Sequence, residues 1–195
     1  DFGSGDGVRG SSLAKLLDVR TLIQADISDE MLKKCRELNQ AAYYWDTKKP
    51  DWGDNDLRAD LIVCLWNVLG HINGFDAQVK TLIKLAGLLK PNGSICLDVN
   101  NRHYVGYGRI QSLWRRFIDI INPKPSRGDV QFAWQIDGLE YQASGHFFTV
   151  AEMRQIARAA GLSVISITSV DYITGDLKSR PQEGQLFFEF RRAKF

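Results

Sequence analysis

Apolar and polar positions along this chain alternate between two periods. Asp60-Leu61-Ile62-Val63-Cys64-Leu65-Trp66-Asn67 is an apolar run closed by polar ends, the pattern of a strand covered on both faces. Phe75, Val79, Leu82, Ile83, Leu85, Ala86 and Leu89 recur in helical register and predict an amphipathic helix over 75–89. Lys90-Pro91-Asn92-Gly93 stops that helix and turns the chain, and Ser94 to Val99 reads as the next strand. Upstream, the pattern predicts a helix over 10–17, a strand over 21–26, a helix over 29–38 capped by Ser28, and a short strand over 41–45. A polar loop over 48–58 follows. Strands alternating with helices in this way predict a Rossmann-like, doubly wound, mostly parallel α/β sheet.

The pattern changes after Val99. Residues 109–121 form an amphipathic helical repeat carrying Trp114 and Phe117, followed by a basic loop with prolines over 122–128. Two period-two runs, 130–136 and 139–144, flank Asp137-Gly138, a strong short-range signal for a β-hairpin. Thr149 is placed to cap a helix over 150–160 that Gly161 ends. Strands over 162–170 and 185–191 complete the chain, the last expected to run antiparallel.

The candidate chemistry begins at the first residue. Asp1-Phe2-Gly3-Ser4-Gly5-Asp6-Gly7 is a glycine-rich turn with an acid at its front, and a second acid, Asp26, ends the apolar run that follows. Closely spaced glycines let backbone approach a ligand, and an acid at a strand tip can accept hydrogen bonds from ribose hydroxyls. The spacing departs from G-x-G-x-x-G, since the third glycine, Gly7, comes one residue early, and no Gly-Lys-Ser/Thr tripeptide offers a phosphate cradle. The loop therefore suits a nucleoside ligand without phosphate.

This segment resembles the first motif of the class I S-adenosylmethionine-dependent methyltransferases. The later succession of strand, Asn67, helix, Leu-Lys-Pro-Asn-Gly and strand is similar to that family's fourth and fifth motifs. The resemblance implies S-adenosyl-L-methionine as cofactor. Gly3, Ser4, Gly5 and Gly7 would approach its methionine end, and Asp1 would hold its ammonium. Asp26 would bind the ribose, Ile27 would lie beside the adenine, Asp46 would accept from the adenine amino group, and Leu65 would flank the methyl. It also implies a single domain over 1–195, with 103–148 inserted as a substrate lid. A family member has a strand ahead of the first motif, so the chain is expected to be N-terminally incomplete and to fold poorly unaided.

Methyl transfer from a sulfonium needs alignment more than activation. Asn67 is a candidate for orienting the nucleophile or the cofactor. His71 and His146 are candidate bases, and His103 is a weaker one. Asn101, Arg102 and Tyr104, with Trp134 and Tyr141 on the hairpin, are candidate substrate contacts. Asp98, Asn100 and Asn101 resemble part of the metal site of catechol-type O-methyltransferases, but the preceding strand ends in Trp66-Asn67 without a second carboxylate, so no metal is expected. The Asp/Asn-Pro-Pro-aromatic run of amino-methylating DNA enzymes, the Pro-Cys nucleophile of cytosine C5 enzymes and the paired-glutamate loop of arginine methyltransferases are all missing. The lid's ending, His146-Phe147-Phe148-Thr149, looks like members acting on small amines. The expected acceptor is an amine or hydroxyl of a small molecule. Two alternatives stand: an RNA methyltransferase using Arg115, Arg116, Lys124 and Arg127 beside Trp114, and a non-catalytic cofactor-binding subunit that activates a partner.

Composition adds boundaries. An apolar fraction of 44% supports a packed core, and a net charge of +2 is too small to imply a nucleic acid or an anionic membrane. No apolar run has the length of a bilayer span and no signal-peptide pattern is visible. Cys35, Cys64 and Cys96 are dispersed and odd in number, which suggests neither a disulfide framework nor a zinc site and fits a reducing cytoplasm.

Overall fold

The structure is a computed structural model. It describes residues 1–54, 56–136 and 139–193, without the side chains of residues 134–136, 139 and 141. In chain order the elements are α1 (Val8–Leu16), β1 (Ile23–Asp26), α2 (Asp29–Leu38), β2 (Tyr43–Asp46), β3 (Ala59–Cys64), α3 (Phe75–Gly87), β4 (Leu89–Val99), α4 (Arg109–Ile121), β5 (Asp129–Ile136), β6 (Leu139–His146), α5 (Val150–Ala159), β7 (Leu162–Val170), β8 (Leu177–Lys178) and β9 (Gln185–Arg192).

The parallel pairs are β1–β2 and β3–β4. Between these pairs lies only Asp1–Phe2. Phe2 bridges to Ala25 in parallel and donates its amide to the Val63 carbonyl at 2.8 Å. Below that bridge a cavity of about 660 Å³ runs between β1 and β3, lined by Leu13, Leu17, Ile23, Trp45, Trp52 and Leu88 among others. Beyond β4, the last strand β9 inserts antiparallel to both β4 and β7, with β8 at the edge. This is a doubly wound, mostly parallel sheet with an antiparallel last strand.

The core forms where β3, β4 and β9 meet α3 and α5. Ile62, Cys64, Ile95, Leu97 and Val99 pack with Leu82, Leu85, Met153, Ile156, Phe188 and Phe190. Phe188 and Phe190 stack with ring centroids 5.5 Å apart. Each such buried side chain is worth about 1.5–3 kcal/mol of transfer free energy. The helix starts follow the sequence. The Ser28 hydroxyl accepts the Met31 amide at 3.3 Å. Thr149 forms a full capping box with Glu152, each side chain taking the other's amide.

Two elements differ from the expectation. Lys90-Pro91-Asn92-Gly93 does not turn the chain but bulges within β4. Between the pairs Ala59↔Leu89 and Leu61↔Ser94, β4 advances five residues while β3 advances two. Helix α4 is amphipathic as expected but sits inside out. Its polar side faces the protein through Ser112 and Asp119, while Ile110, Leu113, Trp114, Phe117 and Ile120 are 55–80% exposed.

Candidate functional site

The glycine loop is clamped from three sides. Gly3 and Ser4 donate their amides to the Ala25 carbonyl at 2.7 and 3.1 Å. The Cys35 thiol of α2 donates to the Gly5 carbonyl at 3.2 Å, and the buried Gln24 amide of β1 donates to the Gly7 carbonyl at 3.0 Å. At Gly7, φ is 80°, and a Cβ would stand 2.6 Å from Gln24 Nε2 and 2.8 Å from Cys35 Sγ. Only glycine fits there on both counts. Gly5 has nothing within 4 Å of the place a Cβ would take, so the loop's crest borders open space.

Asp26 closes the loop onto the strand tip. Its Oδ2 accepts the Gly5 amide at 2.8 Å and its Oδ1 accepts the Ser28 amide at 2.8 Å. A carboxylate has about four lone-pair positions, so capacity remains on both oxygens. Asp46 is its register partner at the tip of β2 and accepts the Lys48 amide at 2.9 Å. Two carboxylates thus stand side by side at the carboxyl edge of the sheet. Ile27, 66% exposed, lies beside them. The Asp1 side chain packs toward α1, where a Cβ on Gly10 would lie 2.2 Å from its Oδ2. Burial pushes the Cys35 thiol up, which keeps it a neutral donor to the loop.

The end of β3 forms the facing wall. Leu65 is half-buried, and the next two residues, Trp66 (φ 71°) and Asn67 (φ 56°), are both left-handed. The buried Asp98 holds this turn by accepting the Trp66 amide at 2.5 Å. Burial raises the Asp98 carboxyl to about 6, against the hydrogen bonds from the Trp66 and Asn67 amides that pull it down. Asn67 Oδ1 accepts the Asn100 amide at 2.9 Å, and its Nδ2 donates to the His146 carbonyl at 3.4 Å. Asn67 therefore stitches β3, β4 and the hairpin together.

Both histidine candidates meet the hairpin. His71 is exposed, with Nδ1 3.3 Å from the Ser144 carbonyl and its ring edge-on to Phe132. His146 Nδ1 lies 2.7 Å from Asp129 Oδ1 across the first pair of β5–β6, and its ring packs on Phe148. Trp134 and Tyr141 are register partners, with side chains outside the described residues. The turn Asp137-Gly138 also lies outside them.

The candidate substrate contacts after β4 divide. Asn101 is buried, its Nδ2 donating to the carbonyls of Pro181 and Gly184 at 2.7 and 2.9 Å and its Oδ1 accepting the His103 amide at 3.0 Å. Arg102, 3% exposed, bonds Asp119, Glu152 and the carbonyls of Pro125 and Phe147. These two side chains are spent inside the protein, because an amide and a guanidinium this deeply buried need all their partners there. Tyr104 is half-buried and edge-on to Tyr107. His103 is held by Asp119 at 2.9 Å, and burial lowers its pKa despite that carboxylate. In the basic cluster, Arg127 is paired with Asp119. Among the described residues no group of three or more His, Cys, Asp and Glu could hold a metal ion, and no helix is long and apolar enough to cross a membrane.

The sequence reading missed Gln24 and Cys35, and met Asp98 only when weighing a metal site. The alternation at 23–26 could have flagged a buried glutamine one residue from the core-facing Ala25. No local signal points to Cys35 or Asp98, whose partners come from other elements.

Residues 1–95, the half that carries the loop, Asp26, Asp46 and β3, match the family model described as a methyltransferase domain. Solved structures extend the likeness over the whole chain. The CcbJ methyltransferase from Streptomyces caelestis is 16% identical, with a TM-score of 0.71 over 99% of this chain and 82% of that one. CalS10, an amino pentose methyltransferase from Micromonospora echinaspora with S-adenosylmethionine bound, is 14% identical, with a TM-score of 0.62 over 99% and 82%. A complex titled DhpI-SAM-HEP is 19% identical, with a TM-score of 0.66 over 97% and 76%. No curated protein matches the sequence. Residues 1–95 thus match a methyltransferase domain, and the chain as a whole shares the fold of the class I S-adenosylmethionine-dependent methyltransferases. The cofactor of that class is S-adenosylmethionine, and the site fits it: a glycine crest that is open at Gly5, and two strand-tip carboxylates.

Proposed function

We propose that this chain transfers a methyl group to an amine or hydroxyl of a small molecule. The observation that carries the reading is the Asp26–Gly5 hydrogen bond at 2.8 Å, which joins the strand-tip acid and the glycine loop as one unit. The bound cofactor supplies an electrophilic methyl and leaves as a neutral thioether. The chain's own residues bind, align and take the proton. Asp26 and Asp46 hold the nucleoside end. The loop at Gly3–Gly5 and the wall at Leu65–Trp66 direct the methionine end toward the hairpin. The hairpin and Tyr104 border the acceptor, which suits a small molecule in a partly covered space. His71 is the proposed base: with Nδ1–H donating to the Ser144 carbonyl, its Nε2 carries a lone pair toward the acceptor. The amino pentose activity named for CalS10 supports a small-molecule acceptor that carries amine and hydroxyl groups.

The test is calorimetric titration with S-adenosylmethionine and NAD, followed by thioether release over pools of small amines and alcohols. Saturable binding of S-adenosylmethionine that Asp26→Ala abolishes, with none for NAD, is the expected result. His71→Gln should retain binding and lose turnover. Binding of NAD instead would overturn the reading.

A further inference from the structure

Arg9 is the second residue of α1, and its guanidinium carbon lies 4.5 Å over the centre of the Trp66 ring. That ring stands at the mouth of the site, 65% exposed, on the left-handed turn that Asp98 holds. The stacking fixes a long flexible side chain at the junction of the glycine loop and the end of β3. Among the described residues, no carboxylate lies within ion-pair distance of the Arg9 guanidinium, although Asp6 and Asp98 are near enough to favour its charge. Partial burial acts the other way and disfavours that charge. A guanidinium that is stacked, partly desolvated and without an anion has its donors available for one.

The geometry points to Arg9 as the group that receives the α-carboxylate of the bound cofactor. The assignment rests on the methyltransferase reading. With the ribose end fixed at the tip of β1, the methionine end must run across the glycine crest toward Leu65–Trp66, where Arg9 waits. A guanidinium presents a planar fork that matches a carboxylate, and no hydrogen bond or ion pair among the described residues engages its donors. The nearby acids Asp6 and Asp98 would repel that carboxylate, so the neighbourhood needs a cation to accept it. Arg9 is thus a positioning residue: by holding the far end of the amino-acid moiety it sets where the methyl points.

Decarboxylated S-adenosylmethionine separates this role from packing, because it lacks only the group in question. The probes are S-adenosylmethionine and its decarboxylated form, titrated into the wild type, Arg9→Met and Arg9→Lys. Methionine preserves much of the contact with Trp66 and removes the charge; circular dichroism checks that each variant is folded. The wild type should prefer S-adenosylmethionine by about tenfold or more. Arg9→Met should weaken S-adenosylmethionine about 10- to 50-fold and leave the decarboxylated form within about twofold. Arg9→Lys, which keeps charge without the fork, should fall between. Equal weakening of both ligands in Arg9→Met, or no weakening of either, overturns the assignment. A wild type that binds both ligands equally overturns it while leaving the methyltransferase reading intact. A wild type that binds neither overturns that reading and the assignment together.

Discussion

Asp26 Oδ2 accepts the Gly5 amide at 2.8 Å across the glycine loop, so the acid at the strand tip organises the loop it faces before any ligand arrives. Preorganisation of this kind lowers the ordering cost of binding. Asp26→Asn separates shape from charge. The carboxamide has one acceptor atom for two backbone donors, Gly5 and Ser28, and turns an NH₂ toward the other. The variant should lose about 1–2 kcal/mol of stability and about 10- to 100-fold in cofactor affinity. Thermal denaturation and calorimetry measure the two effects; unchanged affinity would remove Asp26 from the site.

Gly7→Ala should damage the loop through two independent causes. Its φ of 80° is strained for an L residue, and its Cβ would meet Gln24 and Cys35. The strain alone costs about 1–2 kcal/mol, and the clash adds to it. Chemical denaturation should report a loss above 1 kcal/mol, with weaker cofactor binding. Gly5→Ala, at φ 56° with open space around it, should be milder for stability and harmful mainly to binding.

Asp98 gives the protein a pH dependence opposite in sign to that of a paired carboxylate. Its pKa rises from an ordinary 3.8 to about 6 because burial penalises the charge. The unfolded chain ionises first, so the contribution is full below about pH 4 and is lost as pH rises through about 6. The shift corresponds to about 3 kcal/mol. Asp98→Asn keeps an acceptor for the Trp66 amide and removes the titration. Urea midpoints of variant and wild type should therefore diverge between pH 4 and pH 7, with the variant gaining relative stability as pH rises. A constant difference across that range would refute the assignment.

Arg102→Met should be among the most destabilising single changes available. The side chain is 3% exposed and ties Asp119 and Glu152 to the carbonyls of Pro125 and Phe147. Removing the shared partner leaves Glu152 without its ion pair and two carbonyls without a donor. The expected cost is about 3–5 kcal/mol. Denaturant titration measures it, and an Asp119→Asn variant should lose less, because Arg102 keeps Glu152 and both carbonyls and the carboxamide still offers an acceptor.

Much of this architecture is legible in the residues, for reasons of range. The helices over 29–38 and 109–121 and the strand over 162–170 carry their own periods, and the first its own cap in Ser28, so their bounds match the structure. The glycine loop and Asp26 are legible because both belong to one short segment. What stays hidden is set at a distance. Lys90–Gly93 has the composition of a turn, yet pairing with β3 draws it into a strand as a bulge. Asn101 and Arg102 follow a sheet edge, where a site is expected, but partners some 50 to 80 residues later bury them. Arg9 looks like any helix-surface cation until β3 brings Trp66 beneath it. Periodicity reveals which face is apolar and not which way it points, as α4 demonstrates.

That inverted helix changes how the molecule opens. Helix α4 is attached through Ser112 to the His103 carbonyl and through Asp119 to Arg102, His103 and Arg127. Its apolar side chains already face outward, so detaching it uncovers little new apolar surface. Denaturant sensitivity scales with newly uncovered surface. Amide exchange in α4 should therefore proceed by local opening almost independent of urea. Amides of α5, packed through Met153, Ile156 and Ala157, should exchange only with global unfolding. Two helices of one chain would then report two different free energies, and the lower one belongs to the element that leads into the β5–β6 hairpin.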